Sequence, residues 1–339
     1  MNLHYLTDNE QIQLEVASFV ANWHSNSTNF SNKTSGSTGT PKLVEIKKVH
    51  AKASAVATIN FLKLSKQSNA LLCLNTKTIG GKMMLVRSIL GEFNLYIVEP
   101  SANPLQDIDI PLDFIAIAPI QLHTILQQNP AKLKAIGTVI VGGGVISEES
   151  IQLLKQHAIT VFQTFGMTET ISHIALRKVG YQPDTSYHTL PGVTVSEENE
   201  QLIIDAPSIG VHKLKTNDRV IVHSPTCFDW LGRVDFVINS GGVKIQIEEL
   251  EKELSHVIHF PFFIYKKADE KLGEKVVLIV EGTYQKEYTQ KEFYRSLTNK
   301  YYIPKEIAFC GQIERTASDK INRISTFQKL NEQCFQKIL

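Results

Sequence analysis

The sequence predicts an α/β protein, with a large N-terminal domain built on a mainly parallel sheet plus a β-rich extension and a small α+β domain at the C-terminal end. Three observations carry this. Five short apolar runs alternate with helix-like stretches between residues 48 and 166, the texture turns to short β-like stretches broken by Pro183, Pro191, Pro207 and Pro225, and beyond Gly232 it changes again. With 339 residues and 42% hydrophobic content the chain can bury one large core and one small one.

The strand-like runs are LLCLN at 71–75, LYIVE at 95–99, FIAIA at 114–118, TVIVGGG at 138–144 and TVFQTFG at 160–166. Continuous apolar runs of this length, spaced by helices, are the rhythm of a parallel sheet covered on both faces. The intervening helices are expected over 82–90, 120–128 and 147–157, the last opening with Ser147, Glu148 and Glu149 as cap and first turn. In open α/β sheets ligands bind at the carboxyl ends of the strands, and several of these ends carry glycine. The stretches SHIALRKV, QLIIDAP and DRVIVHS follow as β-structure. The last hundred residues read as helix 247–257, strand 260–266, strand 275–280, helix 287–299 and strand 306–310. The domains are therefore 1–232 and 236–339, with the boundary at 233–235.

Thirty-five basic and 34 acidic residues give a formal net charge of +1, so no bulk pull toward nucleic acid or an anionic membrane is encoded. No basic strip interleaved with aromatics is present. Cys73, Cys227, Cys310 and Cys334 lack CxxC or zinc spacing and fit reduced thiols. The N-terminus has neither the basic nor the apolar segment of a secretory signal, and no apolar run nears the roughly 20 residues of a membrane helix. A cytoplasmic enzyme of small molecules is the expectation, with the oligomeric state open, a homodimer included.

Thr34, Ser35, Gly36, Ser37, Thr38, Gly39, Thr40, Pro41 and Lys42 form a loop of small and hydroxylated residues ending in a lysine. Backbone N–H groups can approach an oxyanion there, hydroxyls donate to it, and Lys42 supplies a point charge. A Walker A loop is excluded, since it needs glycine at Pro41 and a hydroxyl residue at Leu43. The following LVEIKK alternates with period two, so the loop leads into a strand. Composition alone also fits a flexible surface turn.

The string TSGSTGTPK resembles the phosphate loop of the adenylate-forming superfamily, the AMP-binding enzymes that include acyl-CoA synthetases. The resemblance continues in order along the chain. Phe165, Gly166, Met167, Thr168, Glu169 and Thr170 resemble the family's YGxTE, which implies an aromatic residue flanking adenine, Thr168 on the adenylate phosphate and Glu169 holding magnesium. One carboxylate suits an ion completed by ATP oxygens. Gly142, Gly143 and Gly144 resemble its adenine-side glycine loop, and Asp218 its ribose-binding aspartate, with Asn217 where the family has glycine. Residues 231–251 are similar to GRxDxxIKxxGxxIxxxEIE, implying a ribose-contacting Arg233, a hinge at Asp235, and a thiol-facing surface at Gly241, Gly242 and Lys244. The stretch 315–323 is similar to PRTxxGKIxR, with Asp319 in place of glycine and Lys320 as the adenylation lysine.

The reaction so implied adenylates a carboxylic acid with ATP and Mg2+, releasing pyrophosphate, then passes the acyl group to a thiol, coenzyme A above all. The match begins only 33 residues into the chain, a short form of the acyl-CoA synthetase-like fold, truncated at its N-terminal side. Among relatives it is most like the compact o-succinylbenzoate-CoA ligases of menaquinone biosynthesis. Those ligases have a glycine turn and a helix with a prominent arginine, here Thr78, Gly80, Gly81 and Arg87. If 82–90 is helical, Met83 and Arg87 share a face and place one cation beside an apolar slot, as an aromatic diacid requires. Ser172 and His173 form a second candidate pocket wall. An ordinary surface arginine and an ordinary strand histidine are the plainer readings. Three functions stay open at this point: the CoA ligase, an adenylating enzyme that loads a carrier protein, and a non-catalytic nucleotide-binding relative.

Overall fold

A computed structural model describes residues 1–34, 42–282, 297, 299–315 and 321–338. They divide into two compact units, Met1–Thr216 with Ile221–Asp229, and Asn217–Val220 with Trp230–Leu339.

In the first unit, six strands run parallel in the order Asn2–Tyr5, Asn94–Ile97, Asn69–Leu72, Phe114–Ile117, Thr138–Val141 and Thr160–Gly166. Strand His173–Gly180 pairs antiparallel with the last of these, and the register shifts between Phe165 and Gly166. The sheet then continues through Tyr187–Thr189 into an antiparallel extension made of the four remaining strands between 194 and 233. The parallel sheet and β-rich extension expected from the sequence are both present.

The core explains the strand order. All four residues of Phe114–Ile117 are buried, as a strand covered on both faces must be. Leu122 and Ile125 of helix Pro119–Gln128 and Leu154 of helix Glu148–Gln156 join Ile115, Val139, Val141 and Val161 in one apolar cluster. Ser147 caps the second of these helices by accepting from the Ser150 amide at 3.2 Å. Helix Ile79–Gly91 buries Met83, Met84, Leu85 and Val86 completely. Gly81 is required there by packing, because a Cβ would stand 2.4 Å from the Asn75 carbonyl oxygen. Strands Asn29–Thr34 and Lys42–Lys47 form a hairpin in which Thr34 pairs with Lys42, and LVEIKK is extended as its alternation indicates.

The second unit holds a six-stranded sheet ordered Val243–Gln246, Val237–Ser240, Gly273–Glu281, Glu306–Cys310 and Phe335–Lys337, with Phe262–Asp269 also paired to the central strand. Helix Ile247–Leu254 packs Ile247, Leu250 and Leu254 against Ile245, Leu278 and Ile307. Two of its elements escaped the sequence reading: the hairpin of the first two strands, and the terminal helix Arg323–Gln328 with its strand Phe335–Lys337. The helix expected over 287–299 lies largely outside the described residues. Four cysteines are free, with Cys73 fully buried. Among the described residues no helix is long and apolar enough to cross a membrane.

Candidate active site

The segment expected to form the phosphate loop lies in sequence between the two strands of the hairpin just described, whose pairing brings the chain back at Thr34 and Lys42. Ser35, Gly36, Ser37, Thr38 and Gly39 lie outside the described residues, as do the side chains of Thr34 and Lys42.

Gly142, Gly143 and Gly144 follow the carboxyl end of strand Thr138–Val141, where ligands of open sheets bind. The first is fixed by packing, since a Cβ would meet Thr164 Oγ1 at 2.6 Å. Gly143 takes φ +88°, a backbone setting that side chains resist, and nothing stands over it. One strand along, Thr160–Gly166 ends in the turn that carries Met167, Thr168 and Glu169. Phe165 packs on Tyr187 and Phe228, with ring centroids 5.6 and 5.2 Å away.

The turn itself is locked from within. The fully buried Thr170 hydroxyl accepts from the Met167 amide at 3.0 Å and lies 2.7 Å from the Ser172 carbonyl, to which it donates. Ile171 sits at φ +66°, and a Cβ on Gly166 would come within 2.4 Å of the Ser172 oxygen. The result presents Thr168 and Glu169 to solvent on a fixed backbone. Among the described residues no group of three or more His, Cys, Asp or Glu is placed to hold a metal ion. The exposed Glu169 carboxylate is of the chemistry that a magnesium ion takes when nucleotide oxygens and water supply its other ligands.

Behind this turn lies a buried polar cluster. Arg87 is 2% exposed, and its Nη2 donates to Ser172 Oγ at 2.9 Å, while its Nε is buried with no acceptor among the described residues. Burial pushes the guanidinium down to about 10, which leaves it charged at neutral pH. His173, 7% exposed, contacts Ser172 Oγ through Nδ1 at 3.5 Å and Thr58 Oγ1 through Nε2 at 3.0 Å. Desolvation first, and the charge of Arg87 second, hold its imidazole well below the ordinary range, so it is neutral. Arg87, Ser172 and His173 are thus brought together. Thr78 sits instead at the start of the helix, where its hydroxyl donates to the Asn75 carbonyl at 2.7 Å and caps the Gly81 amide at 3.4 Å. Thr58 was not found by sequence reasoning, and Thr170 was named in its motif without the turn-locking role; the i,i+4 spacing of Ser54 and Thr58 on helix Lys48–Leu62 gives no hint of a contact with residue 173.

In the second unit, Asp218 is 6% exposed and accepts from Trp230 Nε1 at 2.9 Å. Arg233 makes a two-point ion pair with Asp235, Nε to Oδ1 at 2.9 Å and Nη2 to Oδ2 at 3.0 Å, and this raises its affinity for the proton further. Gln246 ties the segment down: it accepts from Arg219 at 2.8 Å and donates to the Arg233 carbonyl at 2.9 Å, while Glu248 accepts from the Arg233 amide at 3.1 Å. Gly241 and Gly242, at φ +58° and +83°, turn strand Val237–Ser240 into Val243–Gln246, with Lys244 exposed beyond them. Lys320 lies outside the described residues; the segment around it is bracketed by an antiparallel bridge between Arg315 and Ile321.

Comparisons with known proteins bear on the family and the fold. A family model described as AMP-binding enzyme matches residues 15–215. A 2-succinylbenzoate–CoA ligase of Listeria monocytogenes is 26% identical over 321 residues, which span 86% of this chain and 68% of that protein. Among solved structures, an acyl-CoA synthetase (AMP-forming)/AMP-acid ligase II-like protein from Dyadobacter fermentans is 34% identical, covers 95% of each chain and has a TM-score of 0.64. An o-succinylbenzoate coenzyme A synthetase from Bacillus subtilis, solved with ATP and a magnesium ion, shares the fold with a TM-score of 0.72 at 21% identity, over 88% of this chain and 69% of that one.

Proposed function

The chain belongs to the AMP-binding enzyme family, and from that premise we propose that this adenylate-forming ligase activates an aromatic dicarboxylic acid of the 2-succinylbenzoate type and transfers the acyl group to coenzyme A. The observation that carries the substrate reading is Arg87. A guanidinium that is 2% exposed, with a single hydroxyl partner and a buried Nε without an acceptor among the described residues, is a cation awaiting an anion. The second carboxylate of a diacid supplies it, and the apolar flank of Met83 on the same helix suits the ring. Relatives named for 2-succinylbenzoate support the same choice. A place in menaquinone biosynthesis belongs to this reading.

The first half-reaction needs position and charge neutralisation more than a base, because the acid's carboxylate is already the nucleophile that attacks the α-phosphate. In the reading proposed here the loop 34–42 and the glycines at 142–144 hold the phosphates and adenine, Phe165 flanks the base, and Thr168 contacts the adenylate phosphate. Asp218 and Arg233 take the ribose, and Lys320 bridges carboxylate and phosphate oxygens as charge builds. Glu169 would hold a magnesium ion, which would supply neutralisation of phosphate charge. In the second half the 236–339 domain turns about Asp235, withdraws Lys320 and brings the Gly241, Gly242 and Lys244 surface to the thiol.

The deciding experiment is acid-dependent pyrophosphate release with ATP and magnesium, run on 2-succinylbenzoate, benzoate, a fatty acid and several amino acids, with and without coenzyme A. Release confined to 2-succinylbenzoate, with a CoA thioester formed, is the expected result. Adenylate formed from 2-succinylbenzoate but never transferred to coenzyme A would point to a carrier-protein thiol. Silence on every acid despite ATP binding would leave a non-catalytic nucleotide binder.

A further inference from the structure

Behind Arg87 runs a hydrogen-bond chain whose direction can be read from its two ends. A guanidinium only donates, so Ser172 Oγ, 2.9 Å from Nη2, is the acceptor there. At the far end Thr58 Oγ1 lies 3.1 Å from the Ser54 carbonyl, which only accepts, so the Thr58 hydrogen is committed to it. Thr58 therefore faces His173 Nε2, 3.0 Å away, as an acceptor, and Nε2 carries the ring proton. The neutral ring leaves Nδ1 bare, and Nδ1 accepts from the Ser172 hydroxyl at 3.5 Å. The opposite tautomer would require Thr58 to give up its bond to the Ser54 carbonyl and turn its hydrogen to Nε2.

We propose that Thr58 and His173 are positioning residues for acid recognition: they fix the direction of this chain, hold Ser172 as an acceptor toward Arg87, and leave the Arg87 Nε for the substrate's second carboxylate. The second clause rests on the acid reading above; the direction of the chain does not. Every hydroxyl along it points its hydrogen away from the guanidinium, so the aligned dipoles reinforce one another in a site that water does not screen. Thr58 is fully buried on helix Lys48–Leu62, His173 opens strand His173–Gly180, and Arg87 lies on helix Ile79–Gly91. Three elements thus converge on one anion-binding group.

The test begins with the substrate-free protein. Long-range proton–nitrogen NMR at pH 7, with the His173 signals assigned by their loss in His173→Gln, should show a protonated Nε2 and a bare Nδ1. An Nδ1–H tautomer or a doubly protonated ring overturns the proposal, whatever acid the enzyme uses. In pyrophosphate-release assays Thr58→Val should raise the KM for 2-succinylbenzoate about tenfold, the loss expected for one buried hydrogen bond, with the KM for ATP within about twofold. Thr58→Ser keeps the hydroxyl and should recover to within about threefold of the parent. Equal increases in both KM values, or no recovery in Thr58→Ser, would reduce Thr58 to a packing residue and overturn its assigned role. A changed tautomer in Thr58→Val with an unchanged acid KM would keep the chain's direction and refute its link to recognition. If Thr58→Val does not fold, the NMR result and Thr58→Ser still decide.

Discussion

Replacing Arg87 with methionine should make the substrate-free protein more stable while disabling acid binding, a pairing of effects that a structural arginine would not give. The side chain lies on a helix whose neighbours Met83, Met84, Leu85 and Val86 are fully buried, so a methionine of similar stem fits the space. Burial lowers the folded-state pKa from 12.5 to about 10. For a base this means the charged form is disfavoured by folding, by about 3 kcal/mol at any pH below the folded value, shrinking to nothing only above the unfolded one. Removing the charge recovers that amount and forfeits the bond to Ser172, about 1 kcal/mol, for a net gain near 2 kcal/mol. In a unit of this size that is a rise in melting temperature of roughly 4 to 8 °C. On the binding side, a buried carboxylate left without its partner costs about 2 to 5 kcal/mol, so the KM for 2-succinylbenzoate should rise at least about 30-fold. Thermal melts and pyrophosphate release read the two effects separately. A variant that melts lower and keeps its acid KM within about threefold would sink the argument.

Three other outcomes follow from the same residues. Lys320→Ala should abolish acyl-adenylate formation yet leave thiol transfer from supplied acyl-adenylate largely intact; equal loss of both half-reactions contradicts the assigned role. Gly166→Ala forces a Cβ to 2.4 Å from the Ser172 oxygen and 2.5 Å from the His173 Cα, both backbone. It should cost at least about 2 kcal/mol in denaturant melts and about a hundredfold in pyrophosphate release, and parent-like values of both would show the turn to be slack. In the second unit burial opposes ionisation of Glu306, but the bonds from Lys275 at 2.6 Å and Lys267 at 3.1 Å prevail and hold its carboxyl below the ordinary range. A depressed acid stabilises the fold above its unfolded pKa and loses that contribution as pH falls through the folded value. The stability deficit of Glu306→Gln should therefore be constant above about pH 5 and fade below about pH 4, and a deficit unchanged down to pH 3 would exclude the ion pair as its source.

What could be read from the sequence was what local chemistry encodes. Strands such as Phe114–Ile117 are covered on both faces, so every position must be apolar and the run stands out. The edge strand Asn2–Tyr5 buries none of its residues fully, and its polar alternation hid it. The glycines at 142 and 166 were visible as residue types, but the reasons for them, Thr164 and the Ser172 carbonyl, lie across strands. The proposed acid pocket was legible only in part. Arg87 was found from its helix and its motif, whereas its burial depends on Ser172, 85 residues on, and the contact behind it joins Thr58 to His173 across 115 residues. Thr78 was placed in the pocket by analogy, while its hydroxyl makes helix-capping bonds, a role that a threonine ahead of a glycine-started helix takes for local reasons.

The buried cation also explains how such a pocket can refuse acids that would otherwise fit. A monoacid such as benzoate brings its ring but no second charge, so the guanidinium stays buried beside an apolar ligand with Ser172 as its partner. In the reading proposed above, the roughly 3 kcal/mol of desolvation that Arg87 carries already in the substrate-free protein is offset when a second carboxylate binds and stays when benzoate binds, a discrimination of about a hundredfold that comes from the attraction only the diacid gains. An amino acid fares worse, since its ammonium would enter a site already holding a cation. His173 sharpens this by staying neutral: a second positive charge there would let Ser172 turn its hydrogen elsewhere and would attract any anion, phosphate included. In the reading proposed above, one cation, solvated by oriented hydroxyls and paired on binding, would select for a dianion whose charges are separated by a ring.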